Sequence, residues 1–211
     1  MIESELSTRP QGDGVARALH FAGRLNSSST TARVAFGQAV ESLFAHRADA
    51  TDHLDAALAA DPDLDVAHLL RAFALRSLGR RDLFPGIQGA LSAARHSLAT
   101  RGESERGRAL LGTMESWMTG EGEAGADQLD AWLRVCPDDL LFAKLAQALH
   151  FIVGAPQAMR RSIEAVAAHH AIDAHGGGYV RGLLAFAREE TGDSAGAERA
   201  GRGAVEAEPH D

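Results

Sequence analysis

Three prolines, each ending a similar helical stretch at nearly constant spacing, restrict what this chain can fold into. Pro62, Pro137 and Pro209 follow Ala57-Leu58-Ala59-Ala60-Asp61, Trp132-Leu133-Arg134-Val135-Cys136 and Ala204-Val205-Glu206-Ala207-Glu208, at offsets of 75 and 72 residues. At those offsets Leu54, Leu129 and Gly201 coincide, as do Leu58, Leu133 and Val205, and Gly120 and Gly192 each stand 17 residues before a proline. Glycines and prolines agree along with apolar positions, which argues against chance likeness between alanine-rich helices. A unit of this length accommodates two helical hairpins of about 34 residues each, plus a short insertion. Such hairpins must stack, because none can bury its apolar face alone.

Local patterning points the same way. Alanine is abundant, and no stretch sustains period-two alternation between hairpin turns. From Leu64 to Leu78, the residues Val66, Leu69, Leu70 and Phe73 form one helical stripe. Asp61, Pro62 and Asp63 favour its start, and Gly79 its end. Asp139 to Val153 repeats the pattern with Leu141, Leu145, Ala148, Leu149 and Ile152, ending at Gly154 before Pro156. Gly120 to Gly125 reads as a helix–helix turn, Asp173 to Gly178 as a flexible connector, and Asn26 to Thr30 as a polar, capping connector. About eleven helices are expected in a single domain over residues 13–211, after a flexible tail at 1–12.

Composition narrows the function classes. The chain has 211 residues and a formal net charge of −8, which disfavours a phosphate-binding or nucleic-acid surface. Cys136 is the one cysteine, so there is no disulfide framework or thiolate-rich metal site. No run of about eighteen apolar residues suggests a membrane span. The first twenty residues lack a signal-peptide pattern, so the expected compartment is the cytoplasm. Lys144 is the only lysine against twenty arginines, a bias that suits a GC-rich bacterial genome.

Trp117-Met118-Thr119-Gly120, Leu133 to Asp139, Phe151 to Gly154 with Met159-Arg160, and Tyr179-Val180-Arg181-Gly182 to Phe186 with Glu189-Glu190 carry a family likeness. Over roughly residues 30–211 the chain resembles the tetratricopeptide repeat protein 38 family. That resemblance implies helical repeats throughout and no particular activity. The departures are specific. Arg106-Gly107-Arg108-Ala109-Leu110 stands where the family tends to show Arg-Glu-x-x-His, and Gln147-Ala148 replaces a His-Asp pair. The family's tryptophan followed by two histidines would fall beyond Asp211. Pro209-His210-Asp211 matches the helix-opening Pro137-Asp138-Asp139, so the array is expected to stop where a helix should begin. A truncated chain, or a homodimer covering the last hairpin, would account for that.

Candidate chemistry is sparse. His169, His170 and His175 cluster, but adjacent helical positions point about 100° apart, leaving at most His169 and Asp173 as a pair of ligands. A solvated helix end is the simpler reading, and no metal or cofactor is expected. No Gly-x-Ser-x-Gly motif occurs, and Cys136 before Pro137 reads as packing. Glu189 and Glu190 end a helix, the wrong end for the dipole, which suggests a partner or an arginine such as Arg160 or Arg161. Phe44, Phe73, Trp117, Trp132, Phe142, Phe151 and Phe186 read as core.

The expected fold is all-α, a tetratricopeptide-like array of antiparallel helical hairpins wound as a right-handed superhelical solenoid. The expected function is that of a binding or scaffold protein whose concave groove takes a protein or peptide partner. The alternative is a small-molecule binder or cofactor-independent accessory enzyme of a bacterial biosynthetic pathway. Candidate binding residues are His68, Gln147, His150, Tyr179 and Glu189.

Overall fold

The computed structural model describes residues 11–102, 104–170 and 176–207. Among these, the chain forms eleven α-helices, one 3-10 turn at Arg81–Leu83 and no strand. The helices are α1 (Gln11–Ala22), α2 (Thr30–Phe44), α3 (Ala50–Ala60), α4 (Asp65–Ser77), α5 (Phe84–Arg101), α6 (Glu105–Met118), α7 (Gly122–Val135), α8 (Leu140–Ile152), α9 (Pro156–Ala167), α10 (Gly177–Glu189) and α11 (Ser194–Ala207). Each boundary has a local cause. Ser29 and Ser104 cap α2 and α6 by accepting from the amides of Ala32 and Gly107. Asp139 caps α8, while Pro85 and Pro156 open α5 and α9. Gly79 and Gly154 follow α4 and α8 at φ +65° and +75°, the left-handed conformation that glycine adopts without a Cβ penalty.

Helices adjacent in the chain pack on one another from α1 through α5 and from α5 through α11, with additional contacts of α4 on α6 and α8 on α10. Most links between them are short. One continuous core runs from Phe21 in α1 to Ala187 in α10, with Phe36, Leu69, Leu110, Leu129, Phe142 and Leu149 fully buried along it. The two ends of this core meet. Phe21 and Phe44 lie 5.7 and 5.2 Å from the ring of Tyr179, so α1 and the end of α2 cross to α10.

Two glycine-rich stretches differ from the expectation. The turn expected at Gly120 to Gly125 is only the link Thr119–Glu121. Gly122 and Gly125 lie inside α7, where a Cβ would come within 2.7 Å of Val153 and 2.9 Å of the Thr113 carbonyl. They are small because α6 and α8 press on α7. Likewise Gly176 sits at φ +85° and opens α10, whose first residues, Gly177 and Gly178, are buried rather than a connector. Residues 171–175 lie outside the described residues, as do residues 1–10 of the expected tail and Pro209–Asp211, where the array was expected to break off. Gln11 and Gly12 of that tail belong to α1.

The link between α3 and α4 carries a charge that should govern acid stability. Asp61 is nearly buried and receives bonds from Ser27 at 2.5 Å and from Arg101 at 2.8 Å. Burial pushes the Asp61 carboxyl up, but the Arg101 and Ser27 hydrogen bonds outweigh it and hold it below its ordinary value. A carboxyl depressed on folding contributes stability that is complete above its unfolded pKa of ~3.9 and is lost as pH falls through the folded value. Urea unfolding across that acid range should show a shallower pH dependence for Asp61→Asn than for the native chain. An identical slope would refute the assignment.

Candidate functional site

An apolar cavity lies between the end of α2, the middle of α8 and α10. It encloses about 460 Å³, lined by Phe44, His46, Lys144, Gln147, Ala148, Phe151, Tyr179, Gly182, Leu183 and Phe186. That size falls within the range of sites for small groups and side chains. Phe44 and Tyr179 are buried and tilted against each other, whereas Phe151 and Phe186 are 50% and 39% exposed and meet edge to face at 5.3 Å. Both exposed rings were expected in the core. Phe151 and Ile152 are the last two residues of α8, and both stay exposed there, at 50% and 45%.

The cavity wall carries positive charge. The Lys144 ammonium lies 5.5 Å from the Phe44 ring centroid and 3.4 Å from His46 Nε2. His46 is the one non-glycine residue at positive φ among those described, +50°, a strained position that turns its ring from the end of α2 toward α8. Behind the cavity, the Arg17 guanidinium rests near the Phe21 and Tyr179 rings and pairs with Glu41 at 2.6 Å.

Of the five candidate binding residues, the fold brings two together here. Gln147 is buried, donates from Nε2 to the Leu183 carbonyl at 2.9 Å and so ties α8 to α10. Tyr179 forms the floor. The other three are elsewhere. His68 donates to the carbonyl of Pro62 at 2.7 Å, bracing its own helix start. Glu189 is exposed at the end of α10, and neither it nor Glu190 forms an ion pair among the described residues. Arg160 instead binds Glu164 and Asp193, each through one nitrogen, at 3.0 and 3.1 Å. The pairing expected of the two glutamates is met by a residue four positions further on, which also caps α11 through the Gly196 amide.

His150 points the opposite way, to α7. Its Nε2 lies 3.0 Å from Asp130, whose other oxygen accepts from Ser162 at 2.5 Å. The three residue types of a catalytic triad meet here in the wrong order. The Ser162 hydroxyl donates to the carboxylate rather than to the imidazole, so the serine–histidine bond of a triad is not made. The arrangement ties α7, α8 and α9 together. Among the described residues no three His, Cys, Asp or Glu side chains converge as metal ligands, and His170 lies 3.1 Å from the Pro137 carbonyl. Asp173 and His175 lie outside the described residues. No described helix is long and apolar enough to cross a membrane.

A further buried centre was not anticipated from sequence. Arg106, 3% exposed, donates from Nε and Nη2 to both oxygens of Asp139 at 2.8 Å, and from Nη1 to the carbonyls of Ala22 at 2.7 Å and Arg24 at 3.2 Å. Asp139 also accepts from Trp132 Nε1 at 2.9 Å. The Arg106 guanidinium therefore joins the carbonyl end of α1 to the start of α8, and Asp139 ties in α7 through Trp132. Its partners lie 33 and 84 residues away, beyond any local pattern.

Compared with protein-family models, curated proteins and solved structures, the chain has no significant match.

Proposed function

We propose that this chain is a helical-repeat binding protein whose cavity between α2, α8 and α10 seats an apolar side chain of a protein or peptide partner. The reading takes the helices as a tetratricopeptide-like right-handed array of antiparallel hairpins related to the tetratricopeptide repeat protein 38 family, working in the cytoplasm. Helix positions support the repeat. α4 and α8 begin 75 residues apart and each has 13 residues, and α7 and α11 begin 72 apart with 14 each. The observation that carries the function is the exposed Phe151–Phe186 pair at the mouth of a cavity floored by Phe44 and Tyr179. An aromatic-lined socket with exposed apolar lips is the usual form of a binding hot spot.

The alternative enzyme reading needs His68, His150, Gln147 and Glu189 around one cavity, and it draws no support from their dispersal over three faces. Selection of a random peptide library on the immobilised protein is the direct test. Enriched peptides should share a bulky apolar or aromatic anchor. Their affinity should fall by about 30-fold or more in Phe186→Ser, the loss of one hot-spot contact. Peptides without a common anchor, or equal binding by Phe186→Ser, would overturn the proposal.

A further inference from the structure

A second cleft is larger than the apolar one. It encloses about 710 Å³ between the α1–α2 link, the first turn of α2 and the start of α6, and it is lined chiefly by arginine and small polar side chains: Arg24, Asn26, Ser27, Arg33, Ser104 and Arg106. Trp132 forms one wall, and Glu105 is the one acidic lining residue among those described. In a chain of net charge −8, this cleft brings together Arg24 and Arg33, neither of them paired with a carboxylate among the described residues, beside the Asp139-bound Arg106.

The three arginines are not equivalent. Arg106 is committed to Asp139 and to the end of α1. Arg24 and Arg33 form no ion pair among the described residues, and Arg33 Nε is buried with no hydrogen-bond partner there. Buried polar groups in folded proteins nearly always find an acceptor. The fourteen-residue helix α6 directs its amino end into the same cleft, which adds positive potential. Ser104 accepts from the Gly107 amide, so its own hydroxyl proton remains available to donate.

We propose that this cleft binds a small organic phosphate, with Arg24, Arg33, Ser104 and the amino end of α6 holding the phosphate and Trp132 flanking the organic body. Arginine is suited to this because its planar fork donates to two oxygens at once. The cleft is too large for an inorganic ion alone, and the tryptophan wall suits a planar or apolar substituent. This site is separate from the aromatic cavity and does not depend on the function proposed for it.

The test is titration of the full chain with inorganic phosphate, pyrophosphate and a panel of small sugar and nucleoside phosphates at constant ionic strength, followed by Trp132 emission and thermal shift. Acetate serves as the carboxylate arm. Saturable binding is expected for the organic phosphates, weaker binding for inorganic phosphate and pyrophosphate, and none for acetate. Arg24→Gln and Arg33→Gln should each weaken it about tenfold, the loss of one charge-assisted contact, while Arg202→Gln leaves it unchanged. Arg24 is exposed, so its variant keeps the test decisive if Arg33→Gln fails to fold. Trp132→Phe should abolish the emission change yet retain the thermal shift. No saturable response to any phosphate, a response equal in Arg24→Gln, or preference for acetate would each overturn the proposal.

Discussion

Replacing Arg106 with methionine should lower the unfolding free energy by about 3–5 kcal/mol, the range for stranding one partner of a buried ion pair. The residue is 3% exposed and its partner's side chain 9%, so solvent cannot compensate the Asp139 carboxylate that remains. The Ala22 carbonyl loses its donor in the same step. Equilibrium urea unfolding measures the loss. The double variant Arg106→Met/Asp139→Asn should recover part of it, because an amide oxygen still accepts from Trp132 without leaving a bare charge. A cost below about 1 kcal/mol for Arg106→Met would place the pair among exposed salt bridges of little consequence and refute its role as the clamp.

Gly37→Ala should cost at least about 1–3 kcal/mol, the usual penalty for overpacking a tight contact. Gly37 lies in the middle of α2, where a Cβ would fall 1.7 Å from the carbonyl oxygen of Ala18. The obstruction is backbone, so no rotamer change relieves it and α1 must lift away. Because α1 carries Phe21 onto Tyr179, the displacement should also loosen the floor of the aromatic cavity. Hydrogen exchange should show lost protection in α1 and at Tyr179 while α6 to α9 stay unchanged. Native-like protection of Ala18 to Ala22 with an unaltered urea midpoint would refute this contact.

Both effects mark where sequence reading reached its limit. α4 and α8 were legible because apolar residues three and four apart share a face and a glycine ends each helix, and the structure sets them at Asp65–Ser77 and Leu140–Ile152. The capping role of the Asn26 to Thr30 connector was legible too, and Ser29 fills it. Glycines misled wherever their reason was tertiary. Gly122 and Gly125 were read as part of a turn but sit inside α7, because a neighbouring backbone or side chain takes the space of a Cβ. Of the five residues singled out, Gln147 and Tyr179 lie together at the cavity, His68 and His150 turn to other partners, and Glu189 stays exposed at the end of α10. Nothing in a helical pattern tells which of several polar residues will face a helix far away in sequence.

By itself, then, the sequence determined the all-helical class, the positions of its most regular helices and several of their caps. These follow from periodicity and turn chemistry acting over a few residues. The tertiary structure decided how the two ends of the core meet. It put Phe21 and Phe44 on Tyr179, Lys144 beside His46, and Arg106 between α1 and α8. Those contacts join residues that no local interaction links, and only packing of the whole core selects among them.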